Sequence, residues 1–514
     1  MLKFAKLSRY FPFLRWFPIS GSDVKINLLA GLTVALVLIP QSMAYAQLAG
    51  LPAYYGLYAA FLPVAVASMW GSSNQLATGP VAVVSLLTAS SIATLAAPGS
   101  DDFIALAIML TLLVGVIQLS LGVFKLGVVV NFLSHPVIVG FTNAAAIIIA
   151  LSQLSKILGV SMPRSESFIS DISAVFRQAG DTHLPTLAMG VGAIALMWLM
   201  KRFAPKLPGV LIVVVLATLI SWAVGFERNA SGRIAHIADP ELRAQVEDVA
   251  RLNGEVARLT REISDKNDAL TQTLKSEGES SAAVRLDADI ALLRIDLTRF
   301  EAEAAGKRKA LRQIPVVRQI DGDGNTVGVY PADTVAAGSM GDTARYSIRK
   351  IEKDGFKLVG GGEVVGAIPE GLPEVSLPTF DLDKLGAMFS AALVIALVGF
   401  MEAISIAKAV AAKTKQRLDP NQELIGQGVG NIVGSFTQSY PTSGSFSRTA
   451  VNMNMGATSG LSAVFTVLIV LITLLFLTPL LYHLPQAVLA ALIIMAGRRP
   501  GTTEAPPPPP EAHP

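Results

Sequence analysis

The chain has 514 residues, of which 52% are hydrophobic and only 15% charged, with a formal net charge of +3 at pH 7. Soluble domains carry roughly 25% charged residues, so this composition argues against an ordinary cytosolic enzyme. The absence of cysteine excludes thiol catalysis, disulfides and cysteine-based metal sites.

Met1 to Phe17 mixes Lys3, Lys6, Arg9 and Arg15 with aromatic residues and runs into a full-length apolar span rather than a cleavage site. It reads as a basic, interfacial, cytoplasmic segment, not a secretory signal. Apolar runs near the ~20 residues that cross a bilayer then place spans at 27–47, 53–70, 80–97, 102–122, 136–158, 184–203 and 208–225. Well over half of the charged residues lie in the insert that follows, 226–370. Further spans are read at 383–411, 421–437, 444–454, 458–478 and 485–497. The runs opening at Pro80 and Gly444 are too short to cross alone.

Positive charge marks cytoplasmic loops. Lys125 follows the fourth span, and Lys201, Arg202 and Lys206 follow the sixth. Lys408, Lys413, Lys415 and Arg417 close the eighth, while Arg498 and Arg499 follow the twelfth. A cytoplasmic amino terminus fits all four and puts the insert outside the cytoplasm. The expected organisation is a first transmembrane repeat over 1–225, an extracytoplasmic insert over 226–370, a second repeat over 371–497, and a disordered proline-rich tail over 498–514.

In the insert, apolar residues at 242, 246, 249, 252, 256, 259 and 263, then at 286, 290, 293, 297 and 300, follow a four–three spacing. The spacing predicts two helices folding back as a coiled-coil hairpin over about 241–312. Short β runs follow over 316–363, with Asp323-Gly324 and Asp354-Gly355 as turn signals. The stretch Asp321–Asn325 is similar to a calcium loop but lacks the glycine and glutamate such a loop needs, so a hairpin turn is the stronger reading. An extracytoplasmic adaptor or oligomerisation element is the expectation for the insert; a solvated spacer is the alternative.

Two pairs of segments match at nearly one offset. Ala35–Gln41 aligns with Ala396–Glu402, and Gly71–Gln75 aligns with Gly434–Gln438. The first span therefore corresponds to the eighth and the third to the tenth. Seven spans per unit is odd, so the second unit runs upside down, and paired short helices in inverted repeats point to a transporter site near the midplane.

The openings of those short helices are Ala77–Ser85 and Pro441–Thr449. Proline is tolerated in a first helical turn, and two facing helix amino termini carry free N–H groups and about half a positive charge each, which suits an anion. Ser443, Ser445 and Ser447 add hydroxyls and Arg448 a fixed cation. Small residues also serve plain helix packing in lipid, but an arginine there is costly and points to function. Glu402 is the second intramembrane charge; it reads as a proton-coupling group, with a structural ion pair as the alternative. Gln41, its repeat counterpart, bonds either substrate or a neighbouring helix. Tyr45, Tyr54, Tyr55 and Tyr58 read as packing or interfacial aromatics.

The motifs Ile39–Ala46, Tyr55–Tyr58, Gly79–Ser85, Ser134–Phe141 and Thr442–Asn452 together resemble the SulP family of anion permeases, most closely its proton-coupled sulfate permeases. The resemblance covers about 20–225 and 370–496 and does not extend to the insert. It implies an all-α polytopic membrane protein with a seven-plus-seven inverted-repeat fold, divided into core and gate domains that move as an elevator. It further implies an anion between the third and tenth helices, lined by Gln41, by Thr78, Gly79, Pro80, Val81 and Ala82, and by Ser445, Phe446, Ser447 and Arg448, with Glu402 carrying the proton. Two more spans and a cytoplasmic STAS domain are also implied; here the chain stops after about twelve spans, so the gate is expected to be short by two helices.

The expected function is secondary-active transport of a small inorganic anion, most directly sulfate with a proton, in a multi-pass protein of a bacterial inner membrane. Bicarbonate or a dicarboxylate, with or without sodium coupling, is the alternative within the class. From another class, the alternative is a transport-inactive, membrane-anchored interaction protein. The expected partners are the anion, a proton, the lipid bilayer, a second copy of the chain in a homo-oligomer, and an unknown extracytoplasmic partner of the insert. No nucleophile–base pair, phosphate loop, cofactor motif, nucleic-acid motif or metal spacing appears, and the five histidines (135, 183, 236, 483, 513) are scattered.

Overall fold

A computed structural model describes residues 11–497 except 94, 97–98, 128–134, 161, 163–167, 205–206, 278–279, 313, 322–324, 335–344, 353 and 379–381. The proline-rich tail, Arg498 and Arg499, Lys3, Lys6, Arg9, Lys206 and the Asp323-Gly324 turn lie outside the described residues, as do Ser134 and the side chains of 135–139 and 141. The chain divides into two compact units, one of Met1–Val224 with Val364–Pro514 and one of Gly225–Glu363.

The first unit is helical. In chain order it contains α1 (Gly21–Leu48), α2 (Tyr54–Ala59), α3 (Leu62–Trp70), α4 (Ala82–Ile92), α5 (Asp101–Val123), α6 (His135–Ser152), α7 (Leu154–Leu158), α8 (Phe168–Arg177), α9 (Leu184–Phe203) and α10 (Gly209–Ala223). After the insert come α13 (Leu382–Thr414), α14 (Pro420–Phe436), α15 (Phe446–Asn454), α16 (Leu461–Ile472), α17 (Thr478–Leu481) and α18 (Gln486–Gly497). Among the described residues, five segments are long and apolar enough to cross a membrane: Gly21–Leu48, Asp101–Val123, Leu184–Phe203, Met388–Thr414 and Leu461–Leu481.

Local chemistry sets these boundaries. Ser20 caps α1 by accepting from Asp23 N at 3.1 Å, while the Asp23 carboxylate accepts from Ser20 N at 3.2 Å, a reciprocal box. Ser100 caps α5 in front of Asp101 and Asp102, whose charges suit the positive helix end. Asp419 caps α14, with Pro420 in the first turn.

Four spans differ from the apolar-run reading. The second is broken at Ala60–Phe61, with Pro63 restarting the helix. The eleventh passes through a π turn over Thr473–Leu477 just before Pro479, which has no N–H to continue the ladder. The short helices begin at Ala82 and Phe446 rather than at Pro80 and Gly444, because the residues before them are extended. An additional amphipathic helix, α8, is too polar to register as a span. In packing, α14 lies against α5 and α3, α1 against α16, and α13 against α5, while α9, α10, α6 and α7 gather around α18.

The second unit contains β2 (Glu227–Arg233), α11 (Pro240–Glu277), α12 (Ser281–Arg312), β3 (Val316–Ile320), β4 (Thr326–Pro331), β5 (Tyr346–Ile351) and β6 (Gly355–Gly361). The strands form one five-stranded sheet in the order β2-β6-β5-β3-β4, every pair antiparallel. The β region therefore reaches beyond 316–363 to recruit Glu227–Arg233 from the other side of the hairpin. That strand reads Glu-Arg-Asn-Ala-Ser-Gly-Arg, an edge with no apolar alternation to signal it.

Along α11, Leu242, Val246, Val249, Leu252, Leu259 and Ile263 are buried. The base of this stripe joins a core with Ile237, Leu311, Val316, Val329, Ile348, Phe356 and Leu358. Ion pairs lace the hairpin: Lys266 to Asp289 at 2.8 Å, and Lys307 to both Asp248 and, at 2.9 Å, Glu303. Hydrogen bonds from Lys307 and then Arg251 hold the Asp248 carboxyl below the usual carboxylate range. A depressed folded-state pKa contributes stability that is present above the ordinary carboxylate value and lost as pH falls through the folded one. The protection of amides over 240–312, corrected for the intrinsic pH dependence of exchange, is thus expected to fall as pH drops below about 4. Asp248→Asn should flatten that dependence, and an unchanged exchange profile in the variant would refute the assignment.

Candidate functional site

The centre of the first unit is built from two extended dipeptides, β1 (Thr78–Gly79) and β7 (Ser443–Gly444), lying antiparallel with Thr78 opposite Gly444 and Gly79 opposite Ser443. Ser445 N donates to Ala77 O at 2.9 Å and Ala77 N donates to Thr449 Oγ1 at 3.0 Å, extending the junction on both sides. Each strand runs into a half-helix, the eleven-residue α4 or the nine-residue α15. Neither helix has a side-chain cap on its amino terminus; the N-cap residues are Val81 and Ser445. Both first turns therefore keep free N–H groups and their share of the macrodipole.

Glycine is required at this crossing. Gly79 adopts φ +139°, and a Cβ there would sit 3.2 Å from Arg448 Nη2. A Cβ on Gly444 would come within 2.8 Å of Ala403 Cβ on α13, one residue from Glu402.

Arg448 projects from the first turn of α15 and is fully buried. Among the described residues, its Nε, Nη1 and Nη2 atoms have no hydrogen-bond partner. Tyr45, Tyr440 and Glu402 lie within electrostatic range of the guanidinium. Gln41 on α1 is 5% exposed and its Oε1 is likewise without a partner. Thr78, Gly79, Pro80, Val81 and Ser445 are buried, whereas Ala82 and Ser447 are half-buried and Phe446 is 48% exposed. The structure thus brings the turn Thr78–Ala82, the segment Ser445–Arg448 and Glu402 around one crossing. Tyr45 belongs with this group rather than with the packing aromatics, while Tyr54, Tyr55 and Tyr58 stack on one another.

Three supports were not singled out from the sequence. Asn431 Nδ2 donates to Gln118 Oε1 at 2.9 Å, and its Oδ1 accepts from Thr442 N and Oγ1, both at 2.9 Å, which fixes the chain leading into β7. Ser85 Oγ lies 3.4 Å from the hydroxyl of the fully buried Tyr440. The Glu423 carboxylate accepts from Ser72 N at 2.9 Å, Ser73 N at 3.1 Å and Ser72 Oγ at 3.1 Å, latching the loop that leads to β1. Glu423, Gln427 and Asn431 recur every four residues along an apolar span. One polar face inside a span was the signal for them.

Two uncapped helix ends beside a buried guanidinium without a hydrogen-bond partner among the described residues are chemistry that suits a small anion with several acceptor oxygens. The profile of the Sulfate permease family matches residues 24–250 and 341–500, most of the chain. The chain belongs to that family. The family is one of permeases rather than enzymes, and the match enters both flanks of the insert, leaving 251–340 outside it.

Among its relatives, this family member is 32% identical to the sulfate transporter 4.1, chloroplastic, of Arabidopsis thaliana over 95% of this chain and 53% of the relative. It is similar in fold to the murine Solute Carrier 26 family member A9 anion transporter in the inward-facing state, with TM-score 0.64 and 21% identity over 95% of this chain and 63% of that one. It is also similar to the transmembrane domain of a cyanobacterial bicarbonate transporter, BicA, with TM-score 0.61 and 20% identity over 93% and 89% of the two chains. The chain spans about half the length of the curated Arabidopsis relative. The chain is a mainly helical, multi-pass membrane protein with the fold of these transporter structures, carrying an α/β insert.

Proposed function

We propose that this permease carries small oxyanions by secondary-active transport, with sulfate as substrate and a proton as the coupling ion. The observation that carries the reading is the Arg448 guanidinium, buried at the junction of two uncapped half-helices with no hydrogen-bond partner among the described residues. A sulfate there would take hydrogen bonds from Arg448 and from the first-turn N–H groups of α4 and α15, with Gln41, Thr78, Ser445 and Ser447 around it. The name of the Arabidopsis relative favours sulfate among the oxyanions.

Glu402 supplies the coupling. Its carboxylate lies within electrostatic range of Arg448, so it would compete with a bound anion for the same positive field. A proton on Glu402 cancels that competition, so proton and anion enter together, and linkage makes the preference reciprocal. Movement of the helices carrying the half-helix pair (α1, α3–α5 and α13–α16) against those gathered at α18 would then expose the site alternately, as in an elevator. Lys125, Lys201, Arg202, Lys408, Lys413, Lys415 and Arg417 support a cytoplasmic amino terminus, with 1–225 and 371–497 as the two repeats and 226–370 outside.

The test is labelled sulfate uptake into proteoliposomes under an imposed pH gradient, for the wild type and Glu402→Gln. Uptake that follows the gradient and falls at least tenfold in Glu402→Gln is the expected result. Uptake indifferent to both the gradient and the substitution would remove the coupling role of Glu402. Uptake of bicarbonate but not sulfate would transfer the reading to that anion, and a folded protein that carries neither would leave the interaction protein as the better account.

A further inference from the structure

The insert helix α12 carries two apolar stripes. One faces α11: Ala283, Ile290, Ala304 and Leu311 are buried, with Leu286, Leu293, Leu297 and Phe300 half-buried between them. The other lies on the opposite side of the helix and is open to solvent. Val284, Leu292 and Ile295 are 65%, 64% and 66% exposed. Ala288, Ala291, Ala302 and Ala305 are exposed as well. Taken with Thr298, positions 284, 288, 291, 295, 298, 302 and 305 alternate by four and three, so the stripe is a second heptad seam about 31 Å long. A helix needs one apolar face to close its own hairpin, and among the described residues of the unit nothing covers the second.

We propose that this seam pairs with the same seam of a second copy of the chain, as an antiparallel coiled coil between insert helices. Charge selects the orientation and the register. In a parallel pair Arg294 would face Arg299 of the second copy. Reversing one helix sets the flank of Asp287, Arg294, Glu301 and Arg308 against the same flank of the second copy, and the register with Ile295 opposite Thr298 of the second copy pairs Arg294 with Glu301 and Asp287 with Arg308, each twice. On the other flank Leu292 lies along the stem of Arg299 of the second copy. Sliding this pair by one heptad in either direction puts Arg294 against Arg294, or Glu301 against Glu301. Of these arrangements, the first antiparallel register has no like-charge contact. Alanines at 288, 291, 302 and 305 let the helices approach closely along it.

The natural absence of cysteine makes the test clean. In full-length protein in membranes under mild oxidation, Ala291→Cys combined with Ala302→Cys is expected to form covalent dimers in most of the protein, because those positions face each other across the antiparallel pair. They are eleven residues apart on one helix, too far to bridge within a chain. Each single substitution alone should form none. Dimers from either single variant would mean a parallel pair and overturn the proposal, as would no dimers from the double variant. Both sites are exposed, so neither change threatens folding. Adding Arg294→Glu to the double variant should reduce cross-linking several-fold, and further adding Glu301→Arg should restore it. Failure of that rescue would refute the charge-selected register.

Discussion

Arg448→Met is expected to cut sulfate uptake by roughly 30-fold or more while leaving the protein at least as stable to heat as the wild type. The two effects have one cause. The guanidinium is fully buried with no hydrogen-bond partner among the described residues. An unsatisfied buried charge lowers stability, and a well-packed apolar replacement of similar volume often raises it by about 1–4 kcal/mol. An oxyanion bound there would lose charge-assisted hydrogen bonds whose truncation costs about 2–5 kcal/mol, and 2 kcal/mol is already about 30-fold in affinity. Arg448→Lys keeps the charge but not the planar fork, so it should retain part of the affinity. Sulfate-dependent protection against unfolding reads binding apart from transport. A methionine variant that still binds sulfate at wild-type affinity would place the anion elsewhere.

Glu423→Ala is expected to destabilise the first unit by about 2–4 kcal/mol and to weaken sulfate binding although Glu423 touches no anion. Its carboxylate is 3% exposed and accepts from two successive backbone N–H groups, at Ser72 and Ser73, and from one hydroxyl. Deleting it strands those donors, and each buried unsatisfied donor costs about 1–3 kcal/mol. The same loop is held by Gln416 Nε2 donating to Ser72 O at 2.9 Å and Gln422 Nε2 donating to Trp70 O at 2.7 Å. Gln75 continues it, donating through Nε2 to Ala457 O and accepting at its backbone O from Asn452 Nδ2, both at 3.0 Å. Loosening it therefore moves β1, and with β1 the amino terminus of α4. Glu423→Gln keeps an acceptor oxygen and should lose less on both counts. Thermal unfolding with and without sulfate separates the effects; wild-type stability in the alanine variant would show that the latch carries no load.

Much of this architecture is written locally. A bilayer-length apolar run has one economical conformation in lipid, since a helix satisfies its own backbone, so five spanning helices follow from run length and composition, and the α11–α12 hairpin from its four–three spacing. Proline and glycine at 79–80 and 441–444 mark the interruptions. The second seam of α12 is also present in the spacing, at 284, 288, 291, 295, 298, 302 and 305, beside the one that matches α11.

What the sequence by itself determined is therefore the class of protein, its helical interruptions, and two intramembrane charges, Arg448 and Glu402. The tertiary structure decided how the two interruptions meet: Thr78–Gly79 and Ser443–Gly444 pair from opposite sides of the insert in the chain, by backbone hydrogen bonds that carry no side-chain signature. It also decided that Tyr45, Tyr440 and Glu402 share the field of one arginine, that Asn431 and Glu423 brace the segments leading into the crossing, and that Glu227–Arg233 completes a sheet. Periodicity reports which face of an element is buried. Which distant element buries it depends on contacts between segments far apart in the chain, and those are fixed by packing rather than by any local run of residues.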